Sequence, residues 1–173
     1  CASGRDVSVG SGGAEANLCS ALCALASRFP NWAEKGVAAL GTRPAIYVSS
    51  ESHHSFVKIA KMPGRGTAAV REAPVRADLK LDAVALEQLI EADRVAGWSP
   101  LLIVGTAGTT AAGIIDPLPE LAAVARRTGA WFHADAAWGG GALMSDRLRP
   151  HLDGVALADS VTWDAHKWLS VPM

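Results

Sequence analysis

Residues 101–135, LLIVGTAGTTAAGIIDPLPELAAVARRTGAWFHAD, decide the fold class of this chain. They begin with a continuous apolar run, LLIVGTA, of the kind found in strands that are buried on both faces. A helical pattern follows over residues 117–129, with Pro117 near its first turn and Gly129 as its stop. The next segment, AWFHADAA, again has a strand pattern. Strand, helix and strand in this order predict a βαβ unit with two parallel strands.

The same alternation continues in both directions from this unit. Helices are predicted for EANLCSALCALASRF (15–29), SFVKIAKM (55–62) and LDAVALEQLIEADRVAG (81–97), the last with Asp82 as its N-cap. Strands are predicted for AIYVSS (45–50) and DSVTWDA (159–165), and an extended segment is predicted for AAVREAPV (68–75). Strands that alternate with helices of about ten to fifteen residues predict an α/β fold of three layers. The middle layer is a mostly parallel sheet, and helices cover both of its faces.

Composition excludes several classes of protein. The 173-residue chain is half apolar, 19% of its residues are charged, and its net charge is −1. These values indicate a globular protein, and they argue against a basic surface for nucleic acid or for a membrane. No apolar run reaches the ~18 residues that a membrane-spanning helix needs. Because Cys1, Cys19 and Cys23 are a poor basis for a disulfide framework, we expect reduced thiols and a cytoplasmic protein.

Both ends of the chain look cut. Cys1 leads almost directly into a glycine-rich motif, and Met173 follows what reads as the start of another element. A complete domain usually has a lead-in and an exit. We therefore expect residues 1–173 to be a fragment of a longer protein.

Polar side chains follow four of the predicted strands. In a parallel sheet, ligands bind beyond the carboxyl ends of the strands, so these side chains are candidates for a binding site. They are His53 with His54, Thr109 with Thr110, His133 with Asp135, and His166 with Lys167. A lysine at a strand end is most often a surface residue, and a loop histidine is most often solvated. None of these pairs is decisive alone.

Residues 10–17, GSGGAEAN, form a glycine-rich turn at the start of the first helix. Unpaired N–H groups and the helix dipole favour an anion there, and Gly12 and Gly13 would let a phosphate approach the backbone. The motif is neither G-x-G-x-x-G nor a Walker loop, so it indicates neither a dinucleotide nor a nucleoside triphosphate. Taken alone, a plain loop is the more common meaning of such a segment.

Asp135 follows an apolar run, where a carboxylate is costly unless it is paired. Its partner could be a backbone amide, an arginine or a cationic ring nitrogen. At about 4 Å, in an effective dielectric of about 20, the last pair would gain roughly 4 kcal/mol before desolvation. His133 alternates with Asp135 and so faces the same side of the strand. We interpret His133 as a structural histidine whose hydrogen bonds are satisfied.

Together these groups are the parts that pyridoxal phosphate needs: a phosphate anchor, a carboxylate for the pyridine nitrogen, an aromatic cover and a Schiff-base lysine. The alternative is a metal hydrolase that uses His53, His54, His133, Asp135 and His166, although the HAD motif is weak for a metal. A visible absorption band removed by borohydride would favour the first reading. A stoichiometric metal would favour the second.

Five motifs carry a resemblance to a known family: GSGGAEANL, SSESHHSFVK, TAGTTAAGIIDPLPE, WFHADAAWGGGALMS and ADSVTWDAHKW. Through them, from about Ser8 to Pro172, the chain resembles the group II pyridoxal-phosphate decarboxylases of glutamate, cysteine sulfinate, aromatic amino acids and diaminobutyrate. The resemblance implies the large domain of the type I, aspartate-aminotransferase-like fold, with pyridoxal 5'-phosphate as cofactor, an L-amino acid as substrate and a homodimer. It also implies that an N-terminal segment, a mobile catalytic loop and a C-terminal small domain are missing from residues 1–173.

The resemblance assigns roles to eight residues. Lys167 of DAHKW matches the lysine that holds the cofactor as an aldimine, Asp135 matches the partner of the pyridine nitrogen, and His53 matches the histidine that stacks on the ring. The other matches are a threonine beside the cofactor (Thr110), the backbone phosphate anchor (Gly13 and Ala14), a small residue against the ring (Ala137) and the histidine before the lysine (His166).

Asp164 departs from the family pattern, because many members have asparagine at this place near the phosphate. A carboxylate there would repel a phosphate dianion. Two readings stay open. Either the carboxylate points away from the phosphate, or it shares a proton with it.

The residues of three motifs bear on the identity of the substrate. TAGTT, the GGA of the glycine turn and DAAWGGGALMS are more similar to the glutamate and cysteine-sulfinate members than to the aromatic ones, which tend to have TLGTT and DAAY. We expect a small acidic amino acid as substrate, with an aromatic one as the alternative. An aminotransferase or lyase on the same fold is a further alternative, against which DAHKW and DAAWGGG argue. The isolated piece could also be inactive.

Overall fold

A computed structural model describes residues 7–169 and 171–172. The helices are α1 (Gly13–Arg28), α2 (Trp32–Lys35), α3 (Ser55–Lys61), α4 (Ala83–Val95), α5 (Leu118–Thr128) and α6 (Ala165–Trp168). The strands are β1 (Arg43–Ser49), β2 (Val70–Ala73), β3 (Trp98–Thr106), β4 (Trp131–Asp135) and β5 (Ser160–Thr162). Short 3₁₀ segments over Val37–Ala39, Thr67–Ala69, Gly139–Met144, Arg149–Leu152 and Val155–Leu157 complete the connections.

The strands form one parallel sheet in the order β2-β1-β3-β4-β5. Two apolar clusters lie on its two faces. One joins Tyr47 and Ile103 to α4 and α5, and the other joins Ile46 and Leu102 to α1 and α3. Neighbouring residues of β1 and β3 thus point to opposite faces, as the pleat of a strand requires. The predicted three-layer α/β architecture is confirmed.

Asp82, Pro117 and Gly129 lie at the ends of helices α4 and α5, as the sequence predicts. The Asp82 carboxylate accepts hydrogen bonds from the N–H groups of Val84 and Ala85, which makes it the N-cap of α4. Pro117 immediately precedes α5. Gly129 ends α5 with a φ of 70°, a left-handed conformation that glycine adopts without a side-chain clash.

Strand β3 begins three residues earlier than predicted, because it runs through Pro100. Proline has no N–H to donate to the ladder. The pairing of β1 with β3 accordingly shifts register at this point: Ala45 pairs with Pro100, whereas Ile46 pairs with Leu102. The irregularity admits the proline into an otherwise continuous strand.

The prediction for residues 159–165 is corrected by the structure. Strand β5 covers only three residues, and it is an edge strand of the described sheet, with Val161 47% exposed. Beyond it the chain turns, since the N–H of Asp164 donates to the carbonyl of Ala137. Lys167 therefore lies in the short helix α6 and not at the end of a buried strand.

Cys19 and Cys23 are exposed on α1 and form no disulfide. The prediction for Cys1, like the observation on Met173, lies outside the described residues. Within residues 7–169 and 171–172, no helix has both the length and the apolar character that crossing a bilayer requires.

Asp116 connects the end of β3 to the segment before α4. Its carboxylate is 3% exposed and accepts hydrogen bonds from the N–H groups of Leu81 and Thr106, each at 2.8 Å. Burial raises the pKa of the Asp116 carboxyl, and the two amide donors oppose that effect. This carboxylate thus satisfies two backbone donors, on Leu81 and Thr106, in the interior.

We expect Asp116→Ala to lower the free energy of unfolding by about 2–4 kcal/mol, because both buried amides lose their acceptor. Asp82→Ala is the matched control. It removes an acceptor from amides near the surface and should cost only about 1 kcal/mol. Urea denaturation monitored by circular dichroism measures both values. Equal losses in the two variants would contradict the role given to Asp116.

Candidate active site

A cavity of about 180 Å³ lies where the carboxyl ends of β3 and β4 meet the start of α1. Its lining residues are Gly13, Ala14, Asn17, His53, Thr106, Gly108, Thr110, Asp135, Ala137, Trp138 and Lys167. The structure thus brings together seven of the eight residues selected from the sequence. The eighth, His166, is not part of the lining, and its Nε2 lies 3.9 Å from Oδ2 of Asp164.

The N-terminus of α1 forms one side of this cavity. Gly12, which precedes the helix, has a φ of 146°, and this conformation favours glycine. The N–H and the hydroxyl of Ser11 both donate to the carboxylate of Glu15, and these hydrogen bonds lower the pKa of Glu15. These hydrogen bonds close the turn before α1, and Gly13 and Ala14 line the cavity directly after it.

Asp135 is 5% exposed at the end of β4. Its Oδ2 accepts a hydrogen bond from the side-chain amide of Asn17 at 2.8 Å, and its Oδ1 accepts one from the N–H of Ala137 at 3.2 Å. Both partners are neutral, and the salt bridges within the described part of the chain do not include Asp135. Each carboxylate oxygen retains acceptor capacity, so the site suits a cationic donor that is not part of these residues.

A chain of hydrogen bonds extends from Asp135 into the interior, through Asn17, His133 and Ser160 to Trp131. The Nε2 of His133 lies 3.0 Å from Oδ1 of Asn17, and the Nδ1 of His133 lies 2.9 Å from the hydroxyl of Ser160. The indole N–H of Trp131 donates to the same hydroxyl at 2.8 Å. His133 is therefore a structural histidine on the same side of β4 as Asp135, as predicted.

The carboxylate sets the direction of every bond in this chain. A carboxylate only accepts, so Asn17 must present its NH₂ to Asp135 and its carbonyl oxygen to His133. The proton of the neutral imidazole is then on Nε2, and Nδ1 accepts from Ser160. Burial lowers the pKa of His133 to about 4, although the charge of Asp135 acts in the opposite direction. His133 is therefore neutral at neutral pH and adds no charge beside Asp135.

His53 and Thr110 lie at the exposed rim of the cavity. The Nδ1 of His53 accepts a hydrogen bond from the N–H of Ser55 at 3.2 Å, which holds the ring at the start of α3. Trp138 closes another side and packs edge-on against Trp168, with 4.8 Å between ring centroids. Gly108 makes room for Trp138, because a Cβ at Gly108 would lie 2.6 Å from the indole.

The Nζ of Lys167 lies 3.1 Å from Oδ2 of Asp164, a carboxylate that is 6% exposed. The same oxygen accepts a hydrogen bond from the N–H of Gly13 at 3.1 Å. Asp164 therefore points toward the glycine-rich turn of residues 10–17. The carboxylate connects the start of α1 with the lysine.

Sequence reasoning gave no role to Asn17, Thr106 or Gly108, which also line the cavity. A signal for Asn17 exists in the sequence. It shares a helical stripe with Ala21 and Leu25, which are fully buried, so a polar side chain on that stripe needs an internal partner. No comparable pattern marks Thr106 or Gly108, whose neighbours come from distant parts of the chain.

The metal alternative finds no support in the geometry. Among residues 7–169 and 171–172, no group of three or more His, Cys, Asp or Glu side chains is placed to hold a metal ion. Of the histidines considered for such a site, His133 has both ring nitrogens engaged with Asn17 and Ser160.

The cavity fits pyridoxal 5'-phosphate by the chemistry of its lining. Lys167 supplies a primary amine, Asp135 a buried carboxylate without a cation, and Gly13 and Ala14 the N-terminal end of α1, where the helix dipole favours an anion. Fold and site together define the class: an α/β protein of the type I pyridoxal-phosphate fold. The match to a family model narrows this class, since residues 3–173 match the pyridoxal-dependent decarboxylase conserved domain. The chain belongs to that family.

Named relatives agree with this assignment. The chain is 50% identical over 129 residues to aspartate 1-decarboxylase of Aliivibrio fischeri, which covers 75% of this chain and 24% of the relative. It is 39% identical over 150 residues to tryptophan decarboxylase TDC1 of Camptotheca acuminata, covering 86% of this chain and 30% of that protein. A crystal structure of mouse CSAD in its apo form superposes with a TM-score of 0.96 at 37% identity, covering 98% of this chain and 36% of that one. The chain thus spans about a third or less of the length of these relatives.

We expect the thermal stability of the protein to fall as the pH decreases from about 6.5 to about 4. In this range the His133 imidazole is protonated in the unfolded state, whereas in the folded state burial keeps it neutral. Above this window the imidazole is neutral in both states, and below it both are protonated, so the effect levels off. His133→Gln should remove this part of the pH dependence, worth up to about 3 kcal/mol. The exposed His151, changed to glutamine, should leave it intact. Melting temperatures across the pH range test this, and parallel curves for wild type and His133→Gln would contradict it.

Proposed function

We propose that residues 1–173 are the pyridoxal-phosphate-binding part of the large domain of a longer enzyme, which decarboxylates an L-amino acid to the amine and CO₂. The observation that carries the proposal is the convergence of Lys167, Asp135 and the first turn of α1 on one cavity, in a chain of the decarboxylase family. The cofactor, when bound, supplies a ring that accepts the electron pair left behind when the carboxylate departs as CO₂.

Lys167 has the role of covalent anchor. A lysine amine is the nucleophile by which proteins attach to carbonyl groups, and Lys167 is the only lysine or arginine among the described residues that line the cavity. The short helix α6 places it at the carboxyl edge of the sheet, 37% exposed and so accessible to an incoming ligand.

Asp135 has the role of holding a proton on the ring nitrogen. Its support by Asn17 and Ala137 fixes the carboxylate without neutralising it, because both donors are uncharged. A low-dielectric site strengthens the attraction between this carboxylate and a cationic nitrogen. A ring kept protonated is the better electron acceptor.

The remaining residues bind and cover the cofactor. Gly13 and Ala14 present the start of α1 to the phosphate. His53 and Ala137 lie on the lining and would contact the ring, where stacking by His53 would contribute about 0.5–1.5 kcal/mol. Thr110 would contact the cofactor at the rim, and His166 lies outside the cavity, where its Nε2 is 3.9 Å from Oδ2 of Asp164.

For the substrate we favour a small acidic L-amino acid. Two relatives support this choice: the aspartate 1-decarboxylase of Aliivibrio fischeri and the cysteine sulfinic acid decarboxylase (CSAD) of the mouse. The tryptophan decarboxylase relative keeps an aromatic amino acid as the second candidate. An aminotransferase or lyase reaction is less supported, since the matching family is one of decarboxylases. We further propose a cytoplasmic homodimer. The homodimer is the assembly that the resemblance to the decarboxylase family implies.

We expect Lys167→Ala in the longer enzyme to abolish covalent attachment of the cofactor and to lower decarboxylation by orders of magnitude. Borohydride reduction followed by peptide mass spectrometry locates the attachment, and CO₂ release measures turnover. Lys58→Ala, which changes an exposed lysine of α3, is the matched control and should behave as wild type. Fixation of the cofactor to another lysine in Lys167→Ala would refute the assignment.

The substrate proposal is tested by CO₂ release from a panel of L-aspartate, L-glutamate, cysteine sulfinate, tyrosine, tryptophan and 2,4-diaminobutyrate. We expect the highest kcat/KM for one of the acidic amino acids. A higher value for an aromatic amino acid than for every acid would overturn the substrate choice and leave the decarboxylase assignment in place. Transfer of the amino group to a keto acid without CO₂ release would overturn the reaction type.

A further inference from the structure

Asp164 places a buried carboxylate at the position where the proposed function requires a phosphate. Its Oδ2 accepts the hydrogen bond of the Gly13 N–H, the first donor of the 16-residue helix α1. The side chain is 6% exposed, so solvent screens its charge weakly. A carboxylate and the positive end of a helix attract each other for the same reason that a phosphate and a helix N-terminus do.

The fit around this carboxylate is tight. A Cβ at Gly13 would lie 2.9 Å from Oδ2 of Asp164 and 3.0 Å from Cβ of Ala137. The absence of a side chain at Gly13 is therefore what lets an anion reach the backbone here. Oδ2 of Asp164 occupies the space beside the N–H of Gly13.

Lys167 completes this arrangement. Its Nζ lies 3.1 Å from the same Oδ2, so one carboxylate oxygen serves both the helix N-terminus and the lysine. His166 is close as well, with Nε2 at 3.9 Å. The N–H of Gly13 and the amine of Lys167, which both attract an anion, are thus directed to Asp164.

We propose that Asp164 is an internal counter-anion at the N-terminus of α1, and that the cofactor's phosphate competes with it for the N–H of Gly13 and for the positive charge of Lys167. This inference rests on the proposed function. It assigns to Asp164 the effect of weakening the binding of the cofactor's phosphate. The competition has two causes. Gly13 has one N–H to donate, and a carboxylate that stays beside a phosphate dianion repels it.

Asp164→Asn in the longer enzyme tests the inference, because asparagine keeps an oxygen that can accept from Gly13 but carries no charge. Asp164→Ser is a second variant with a smaller uncharged acceptor. Asp159→Asn is the control: it makes the same change of charge at an exposed residue that accepts from the N–H of Phe132 and does not line the cavity. Melting temperatures of the cofactor-free proteins verify that each variant is folded.

The readout is the dissociation constant for pyridoxal phosphate and, separately, for pyridoxal, each followed by absorbance and by quenching of tryptophan fluorescence. An effect that acts through Lys167 alone changes the dissociation constants of both compounds by the same factor. The ratio of the two constants therefore reports only the contribution of the phosphate group. We expect the preference for pyridoxal phosphate over pyridoxal to rise by about tenfold or more in Asp164→Asn and in Asp164→Ser, and to stay at the wild-type value in Asp159→Asn.

An unchanged or reduced preference in both Asp164 variants would overturn the inference while leaving the proposed function in place, provided that wild type binds pyridoxal phosphate through Lys167. A wild-type enzyme that binds neither compound would overturn the proposed function together with the inference. A rise of equal size in Asp159→Asn would show an effect of net charge and would also count against Asp164.

Discussion

The parallel pairing of β3, β4 and β5 is the constraint on which the site depends. Thr106 of β3 pairs with Asp135 of β4, and Asp135 pairs in turn with Thr162 of β5. Because parallel strands end at the same edge of the sheet, the segments that follow them begin at one level. The carboxylate of Asp135 and the turn that carries Lys167 reach one cavity for this reason, although 32 positions separate the two residues in the sequence. Helix α1, packed on one face of the same sheet, adds its N-terminus to that edge.

The buried network from Trp131 to Asp135 shows how the interior tolerates polar groups next to a charge. Each donor in it has an acceptor, so the low dielectric strengthens the bonds without leaving a polar group unpaired. Burial keeps His133 neutral, which avoids a second charge in the interior. The network thereby fixes the position of Asp135 and leaves its charge uncompensated by a described cation. A carboxylate in this condition is prepared for a cationic ligand, and the whole network directs its hydrogen bonds toward it.

Two buried carboxylates, Asp135 and Asp164, lie at or near the cavity, and their surroundings differ. Asp135 lies deep, 5% exposed, and its partners are neutral amides. Asp164 lies beside the first turn of α1 and is matched by Lys167 and the Gly13 N–H. The two carboxylates thus have opposite surroundings although both are buried. The first is suited to the nitrogen of a bound ring, and the second meets the groups that would otherwise attract an anion.

The sequence by itself determined the fold class, because the alternation of apolar strands with capped helices is a local property that each segment shows on its own. It also located the residues at the strand ends, since the rule that ligands bind at the carboxyl edge of a parallel sheet needs only the strand pattern. The boundaries of β3 and β5 were not predictable in this way. They depend on how Pro100 is accommodated by β1 and on how far β4 extends beside β5, and both are matters of pairing between distant segments. The partners of buried polar groups were likewise decided only by the tertiary structure: Asn17 bonds to a residue 118 positions away, and Asp164 bonds to one 151 positions away. A hydrogen bond requires two groups to meet within about 3 Å, and no local pattern in a sequence records which distant groups the packing of helix on sheet will bring that close.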